Sequence, residues 1–255
     1  MTGRWVFVVK EEVMLVHISD VHVTSNYFSK KLSENVVGEV NRLRPDLLVV
    51  TGDITDNGYP YEYKEAKDFL DQFKAERLVV VPGNHDSRNA GYVLFEELFG
   101  TRYPSVEVGH VKVVGVDSTE PDLDDGHVGR LAYRIVENEL KEFSGVRVVA
   151  LHHHLVPVPG TGRERNIPSD SGDFLKVLSE IGVHLVLCGH KHVPWTWRLN
   201  KMFIINAGTA TTLRLKAHTP PSFNILTISK ALLVAERVNS ETLERQPICT
   251  VHLET

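Results

Sequence analysis

Short apolar runs alternate with amphipathic segments over most of this 255-residue chain. The run VMLVHIS (13–19) is followed by KKLSENVVGEVNRLR (30–44), whose apolar residues recur at the spacing of one helical face. Pro45 ends that predicted helix, and DLLVVTG (46–52) follows as a predicted buried strand. The alternation continues to residue 192 and predicts an α/β fold whose central strands are mostly parallel and covered by helices.

The pattern changes after His192. Apolar runs such as KMFIINA (201–207) and SFNILTIS (222–229) are then joined by short polar turns, which is typical of hairpins in an antiparallel sheet. No low-complexity linker or internal repeat interrupts the sequence. We therefore expect one domain over residues 1–255, with core motifs in 13–192 and C-terminal antiparallel strands in 193–255 that complete the second sheet.

Polar residues that can bind metal ions follow five of the predicted strands. These residues are Asp20 and His22, then Asp53, then Asn84, His85 and Asp86, then His152, His153 and His154, and finally His190 and His192. Ligands bind beyond the carboxyl ends of the strands in an open α/β sheet, so side chains from five strand ends converge on one crevice. The mixture of carboxylate and imidazole suits manganese, iron, zinc or cobalt, and it suits calcium poorly.

The number of donors favours two ions over one. Asp20, His22, Asp53, Asn84, His152, His190 and His192 exceed the four ligands of a tetrahedral ion. Asp53 stands alone at its strand end, so its carboxylate is the natural bridge between two ions. Each motif alone also occurs as a turn or a helix cap, but five coincidences are needed to explain all of them in that way.

The ordered motifs resemble those of the calcineurin-like metallophosphoesterases. They are ISDVH (18–22), TGDITDNG (51–58), PGNHD (82–86), LHHH (151–154) and GHKH (189–192), and the GDxxxxG form of the second resembles the cyclic-nucleotide-phosphodiesterase-like branch. The resemblance implies an α/β fold of four layers, an αββα sandwich of two mixed β-sheets flanked by helices. It also implies a centre of two metal ions, with manganese, iron or zinc as the candidate metals.

The resemblance assigns a role to each ligand position. Asp20, His22 and His192 would bind one ion, and Asn84, His152 and His190 the other, with Asp53 bridging. His85 would be the catalytic imidazole that is not a ligand. LHHHLVP departs from the family pattern because it has three histidines and a delayed Pro157. This leaves a choice between His152 and His153, and we favour His152 because it comes first after the strand.

These roles imply a phosphoric ester hydrolase that acts on phosphodiesters such as cyclic nucleotides, by attack of a hydroxide that bridges the two ions. The catalytic residues would be Asp53, Asn84 and His85. The Asn84 amide and His85 are candidate donors to the phosphoryl oxygens, and His85 is placed to protonate the leaving alkoxide. The alternatives are a phosphomonoesterase, a protein phosphatase or a nuclease of the same superfamily, or a non-catalytic interaction protein like its retromer-subunit branch.

Other polar residues near these motifs have open roles. His153, Arg163 and Arg165 are candidate substrate-binding residues. The alternative for His153 and His154 is that both pack inward, and the alternative for TGRERN (161–166) is a solvated loop. Asp86 is either an acceptor that fixes the His85 ring or a turn residue. Asp117 is either a similar acceptor or a loop cap.

The net charge and the hydropathy of the chain argue against some classes of binding partner. The net charge of -5 and the pI near 6.2 argue against a surface that binds nucleic acid or anionic lipid as a whole, although a local basic site stays open. No apolar run reaches the ~18 residues of a membrane span, and the N-terminus lacks the features of a signal peptide. We expect a cytoplasmic protein that acts on a small phosphate ester. The sequence leaves its oligomeric state open, a homodimer included.

Overall fold

The computed structural model describes residues 11–162 and 166–253. The first half of the chain forms β1 (Glu12–Ile18), α1 (Lys30–Leu43), β2 (Leu47–Thr51), α2 (Pro60–Leu70), β3 (Arg77–Val81), α3 (Gly91–Phe99), β4 (Ser105–Val108) and β5 (Val111–Val116). The second half forms α4 (Gly129–Leu140), β6 (Val146–Leu151), α5 (Ser171–Glu180), β7 (Leu185–Cys188), β8 (Trp195–Leu199), β9 (Met202–Asn206), β10 (Ser222–Ser229), β11 (Leu232–Asn239) and β12 (Arg245–His252).

Two six-stranded sheets pack face to face between two layers of helices. The first sheet has the order β12-β11-β10-β1-β2-β3 and the second has the order β4-β5-β6-β7-β9-β8. Leu15 and Val49 of the first sheet meet Val148 and Leu187 of the second in the central core. The outer face of the first sheet packs on α1 to α3, and that of the second packs on α4 and α5. The predicted αββα sandwich of two mixed sheets is confirmed.

The C-terminal strands are divided between the two sheets. β8 and β9 join the second sheet, where β9 pairs parallel to β7 and antiparallel to β8. β10 to β12 instead extend the first sheet, because β1 pairs with β2 on one edge and needs a second partner on the other. Residues 12–17 of β1 pair with β10, so the first sheet is completed by residues far away in the sequence.

Parallel strands bring five loops to one end of the molecule. β1, β2 and β3 run parallel in one sheet, and β5, β6, β7 and β9 run parallel in the other.

Glu62 in the first turn of α2 is buried and accepts hydrogen bonds from the backbone N–H groups of Asn57 and Tyr59, at 2.7 and 3.1 Å. These bonds fix the loop that follows β2 and carries Asp53.

Among the helices of the described residues, none has the length and apolar character that a membrane span requires.

Candidate metal centre

The seven predicted ligands lie in the loops that follow β1, β2, β3, β6 and β7, all at the same end of the two sheets. All are buried except His190, which is half-buried. Backbone hydrogen bonds join the loops: the N–H of Asp20 donates to Gly52 O at 3.1 Å, and the N–H of His22 donates to Asp53 O at 2.8 Å. Loop positions are therefore set by the sheets and by one another.

One group of ligand atoms is formed by Asp20, His22 and His192. The Nε2 atom of His192 lies 3.3 Å from Oδ1 of Asp20 and 3.3 Å from Nε2 of His22. Oδ2 of Asp53 lies 3.6 Å from Nε2 of His22. The ligand atoms of Asp20, His22 and His192 all lie within 4.8 Å of one another, as a shared cation would require.

A second group is formed by Asn84, His152 and His190. Oδ1 of Asn84 lies 3.1 Å from Nε2 of His152 and 3.0 Å from Nδ1 of His190, and the two nitrogens are 3.1 Å apart. Oδ2 of Asp53 lies 3.4 Å from Nε2 of His152. The same carboxylate oxygen of Asp53 therefore contacts both groups.

The spacing and the tautomers of these residues fit metal ions. Metal bonds of 2.0–2.2 Å place adjacent ligand atoms about 2.9 to 3.5 Å apart, which is the separation found within each group. The Nδ1 atoms of His152 and His192 lie 2.7 Å from the carbonyl oxygens of Thr51 and Arg214, respectively. Each Nδ1 donates a hydrogen bond to its carbonyl oxygen, so in the neutral ring the lone pair of Nε2 points at the other ligand atoms of its group. A cation bound between these atoms would accept all of their lone pairs.

The ligands have an uncommon backbone conformation. Asp20, His22, Asp53, His190 and His192 have φ angles of 53°, 45°, 51°, 72° and 57°. Positive φ is uncommon for residues other than glycine and costs on the order of 1 to 3 kcal/mol at each position. Two such turns on either side of Lys191 direct His190 to one group and His192 to the other. A Cβ at Gly189 would clash with the side chains of Ser19 and Asp20, so any larger residue there would displace the Asp20 ligand or its neighbour.

The electrostatics keep the carboxylates ionised. Burial raises the pKa of Asp53, but the nearby His152 and His85 outweigh burial and hold that pKa well below its ordinary value. Burial lowers the pKa of His190, and His153 and His152 lower it further. Burial also disfavours the charged form of His152, yet Asp53 raises the pKa of His152 to about 9. A metal ion that binds here competes with that proton for His152 Nε2.

His85 lies beside the two groups. Its backbone N–H donates to Oδ1 of Asp53 at 2.9 Å, and its ring packs edge-on against His22 with 4.7 Å between ring centroids. Nδ1 of His85 lies 2.6 Å from the carbonyl oxygen of Asp56 and 2.9 Å from a guanidinium nitrogen of Arg88. Ring atoms of His85 also fall within 4.8 Å of ligand atoms of His22 and Asp53. Its predicted role as the acid stays a prediction.

Asp86 and Asp117 both stabilise loops. Asp86 accepts hydrogen bonds from the backbone N–H groups of Gly83, Ile54 and Thr55, and its pKa is raised to about 6 by burial and by the charge of Asp53. It is therefore a turn residue. Asp117 accepts from the N–H of Thr119 at 2.8 Å and forms a buried ion pair with Arg102 at 2.9 Å. Asp117 is therefore the predicted loop cap, and it also forms an ion pair that the sequence did not indicate.

The structure gives His153 no surface with which to touch a substrate. His153 is 0% exposed, with Nδ1 at 2.9 Å from Ser118 Oγ and Nε2 at 3.2 Å from the carbonyl oxygen of Asp124. His154 is also fully buried and stacks on the His190 ring. Both histidines thus pack inward, which was one of the two alternatives. Arg163 and Arg165 lie outside the described residues.

The sequence did not indicate three residues at the site, which are Asp56, Arg88 and Asp124. Oδ1 of Asp124 accepts from Nδ2 of Asn84 at 3.0 Å and from Arg88 at 2.6 Å, so the Asn84 oxygen is directed at the second group. Oδ1 of Asp56 lies 3.4 Å from Nδ1 of His22. No spacing rule identifies Asp124, since it lies 40 residues after Asn84 in a separate loop. Asp56 lies within the TGDITDNG motif, which was the available signal.

Comparisons with known proteins agree with the geometry. A family model described as calcineurin-like phosphoesterase matches residues 13–194. A probable cyclic nucleotide phosphodiesterase of Vesicomyosocius okutanii is 23% identical over 84% of this chain and 93% of its own length. A probable glycerophosphodiester phosphodiesterase of Arcobacter nitrofigilis is 28% identical over 77% of this chain and 78% of its own. The purple acid phosphatase PPD1 of yellow lupin is 13% identical and shares the fold, with a TM-score of 0.73 over 95% of this chain and 54% of that one.

Proposed function

Because this chain belongs to the calcineurin-like phosphoesterase family and is a phosphoric ester hydrolase, we propose that it cleaves phosphodiesters at a centre of two metal ions. Cyclic nucleotides and glycerol-linked diesters are the candidate substrate classes, since these are the diesters named for its relatives. Manganese, iron and zinc are the candidate metals, because each accepts mixed imidazole and carboxylate ligands.

The observation that carries the proposal is the position of Asp53. Its Oδ2 atom lies 3.6 Å from His22 Nε2 in one group and 3.4 Å from His152 Nε2 in the other. In the proposal, Asp20, His22 and His192 bind one ion, Asn84, His152 and His190 bind the other, and Asp53 binds both. Two bound ions would stabilise negative charge on the phosphoryl oxygens and make water nucleophilic near neutral pH.

In this proposal, Thr51, Arg214 and Asp124 orient the metal-ligating side chains, and His85 donates a proton to the leaving group. Thr51 O and Arg214 O fix the tautomers of His152 and His192. Asp124 fixes the orientation of the Asn84 amide. His85 is 8% exposed and stands beside His22, so its imidazole can reach a substrate that lies against the ions and donate a proton to the leaving oxygen.

The complete set of ligands favours catalysis over a purely structural role. A chain that had kept the fold for protein contacts alone would not need to retain seven ligand side chains, five of them in the costly left-handed conformation. The fold itself does not separate these functions, because one fold supports many.

A substrate screen tests the proposal. Full-length protein is stripped with EDTA, reconstituted with manganese, iron or zinc, and assayed on bis(4-nitrophenyl) phosphate, 4-nitrophenyl phosphate, glycerophosphocholine, and 2′,3′- and 3′,5′-cyclic AMP. We expect metal-dependent hydrolysis of at least one diester with a kcat/KM well above that of the monoester. A higher kcat/KM for the monoester than for every diester would make the chain a phosphomonoesterase and overturn the proposal.

A further inference from the structure

Residues 213–216 form a wall beside the ligands of the first group. Nδ1 of His192, the ring nitrogen opposite its ligand atom, lies 2.7 Å from the carbonyl oxygen of Arg214. The N–H of Leu213 donates to Tyr27 O at 2.8 Å, and Phe28 pairs with Thr212, so the segment is joined to the loop that carries His22. The segment therefore starts directly outside the ligands of the first group.

Two cations of this wall have no partner of their own. Arg214 and Lys216 are exposed, and across residues 11–162 and 166–253 neither side chain forms an ion pair or a hydrogen bond. Other cations of the described residues are paired, among them Arg245 with Glu39 and Lys112 with Glu139. Unpaired cations beside a centre that binds phosphate are available to an anionic ligand.

Both cations act on the carboxylates of the centre. The His22 ring, whose Nδ1 lies 3.4 Å from Oδ1 of Asp56, lowers the pKa of Asp56, and the charge of Arg214 contributes to that shift. Neighbouring protein atoms desolvate the Lys216 amino group and lower its pKa, Asp20 opposes this shift, and Lys191 and Arg214 add to it. The charge of Lys216 therefore lies close enough to those of Lys191 and Arg214 to be repelled by both, and a bound anion would relieve that repulsion.

The cleaved phosphate does not need these cations. Two divalent ions would already balance the Asp20 and Asp53 carboxylates, one diester anion and one hydroxide, so the cations of the wall are additional to that balance. The chain as a whole has a net charge of -5, so a cluster of three cations at this rim runs against the average of its surface. Surplus positive charge beyond the metal ligands fits a substrate that carries a further negative charge.

We propose that Arg214 and Lys216 form a subsite for a second phosphate group, so that the substrate is a phosphodiester that also carries a phosphate that is not cleaved. The guanidinium of Arg214 offers paired N–H donors to phosphate oxygens, and Lys216 adds a point charge. This inference rests on the proposed diesterase function, since it concerns the substrate of the same centre.

Two substrates that differ by one phosphate test the subsite. They are thymidine 5′-(4-nitrophenyl phosphate) and its 3′-phosphorylated derivative, assayed with wild type, the double variant Arg214→Gln/Lys216→Gln, and the control Lys230→Gln. Lys230 is an exposed lysine that follows β10, whose last residue Ser229 pairs with Glu12 at the end of the first sheet far from the centre. We expect the double variant to lose about tenfold in kcat/KM on the 3′-phosphorylated substrate, as two partly exposed charge contacts allow.

The same variant should lose no more than about twofold on the substrate without the 3′-phosphate, and Lys230→Gln should match wild type on both. Equal losses on the two substrates would overturn the subsite. Calorimetric Kd values for thymidine 3′,5′-bisphosphate and thymidine 5′-monophosphate give a second measure, and we expect the double variant to weaken only the bisphosphate. If wild type hydrolyses neither of these two diesters, the substrate screen still decides the proposed function, and the binding comparison decides the subsite: equal weakening of both ligands would then overturn the subsite.

Discussion

Asp86 accepts hydrogen bonds from both the backbone N–H and the Oγ1 of Thr55, each at 2.8 Å. These bonds connect the loop that follows β3 to the loop that follows β2. The two loops supply Asn84 and Asp53, so one buried carboxylate sets the distance between a ligand of the second group and the bridging ligand.

We expect Asp86→Ala to lower the free energy of unfolding of the metal-free protein by about 3 kcal/mol, because it leaves buried N–H groups without an acceptor. Urea denaturation of EDTA-treated protein measures this change. Asp68→Ala, which removes an exposed carboxylate from α2, is the matched control and should change the stability by no more than about 0.5 kcal/mol. A similar stability for both variants would show that the Asp86 bonds contribute little.

Asp53→Ala should abolish the binding of both ions, whereas His22→Ala should remove one. Asp53 contacts both groups of ligand atoms, while His22 belongs to the first group and leaves Asn84, His152 and His190 in place. Metal content by plasma mass spectrometry after dialysis gives the stoichiometry directly. Equal metal content in the two variants would contradict the bridging role, and so would undiminished turnover by Asp53→Ala.

His85→Ala should leave the metal content near that of wild type and lower kcat by about 100-fold to 10,000-fold, as expected for loss of a general acid. The loss should depend on the leaving group. It should be smallest for 4-nitrophenolate, which needs little protonation, and largest for an alkoxide such as that released from a cyclic nucleotide. A loss of the same size for both leaving groups would assign His85 a different role, and a loss of metal would make it a ligand.

Asp124→Ala should weaken binding of the second ion by about 10-fold to 100-fold, the usual effect of removing the partner that orients a ligand. The Asn84 amide then loses the acceptor for its Nδ2 and is free to rotate. Asp125→Ala is a control from the next position, where the carboxylate accepts a hydrogen bond from the half-buried Asn166 and, within residues 11–162 and 166–253, from no ligand of the centre. Metal titration followed by calorimetry distinguishes the two variants, and equal affinities would remove Asp124 from this role.

The sequence predicted the parts of the site that depend on strand ends. Apolar runs identify strands, and in parallel strands the residue after each run lies at a common edge, so Asp20, Asp53 and His152 were expected to meet. The split of His190 and His192 between two groups was not available from periodicity, which places residues two apart on the same side of an extended chain. It came from the family resemblance, and the positive φ at both residues is its physical basis.

The remaining parts of the site depend on loops that meet only in the folded chain. Asp124 reaches Asn84, and the Arg214 carbonyl reaches His192, across sequence separations of 40 and 22 residues. Neither contact leaves a pattern in a single sequence. The same limit applies to β10, whose pairing with β1 joins residues more than 200 positions apart and places the last three strands in the first sheet.

The left-handed backbone at five ligand positions has a consequence for protein engineering. Glycine adopts that conformation without steric cost, so a ligand replaced by glycine would relax the backbone as it removes a donor atom. A selection of variants for heat resistance alone would therefore accept the loss of these ligands. Directed evolution of this chain therefore needs a screen for turnover in every round, because substitutions at these five positions that raise thermal stability would lower activity.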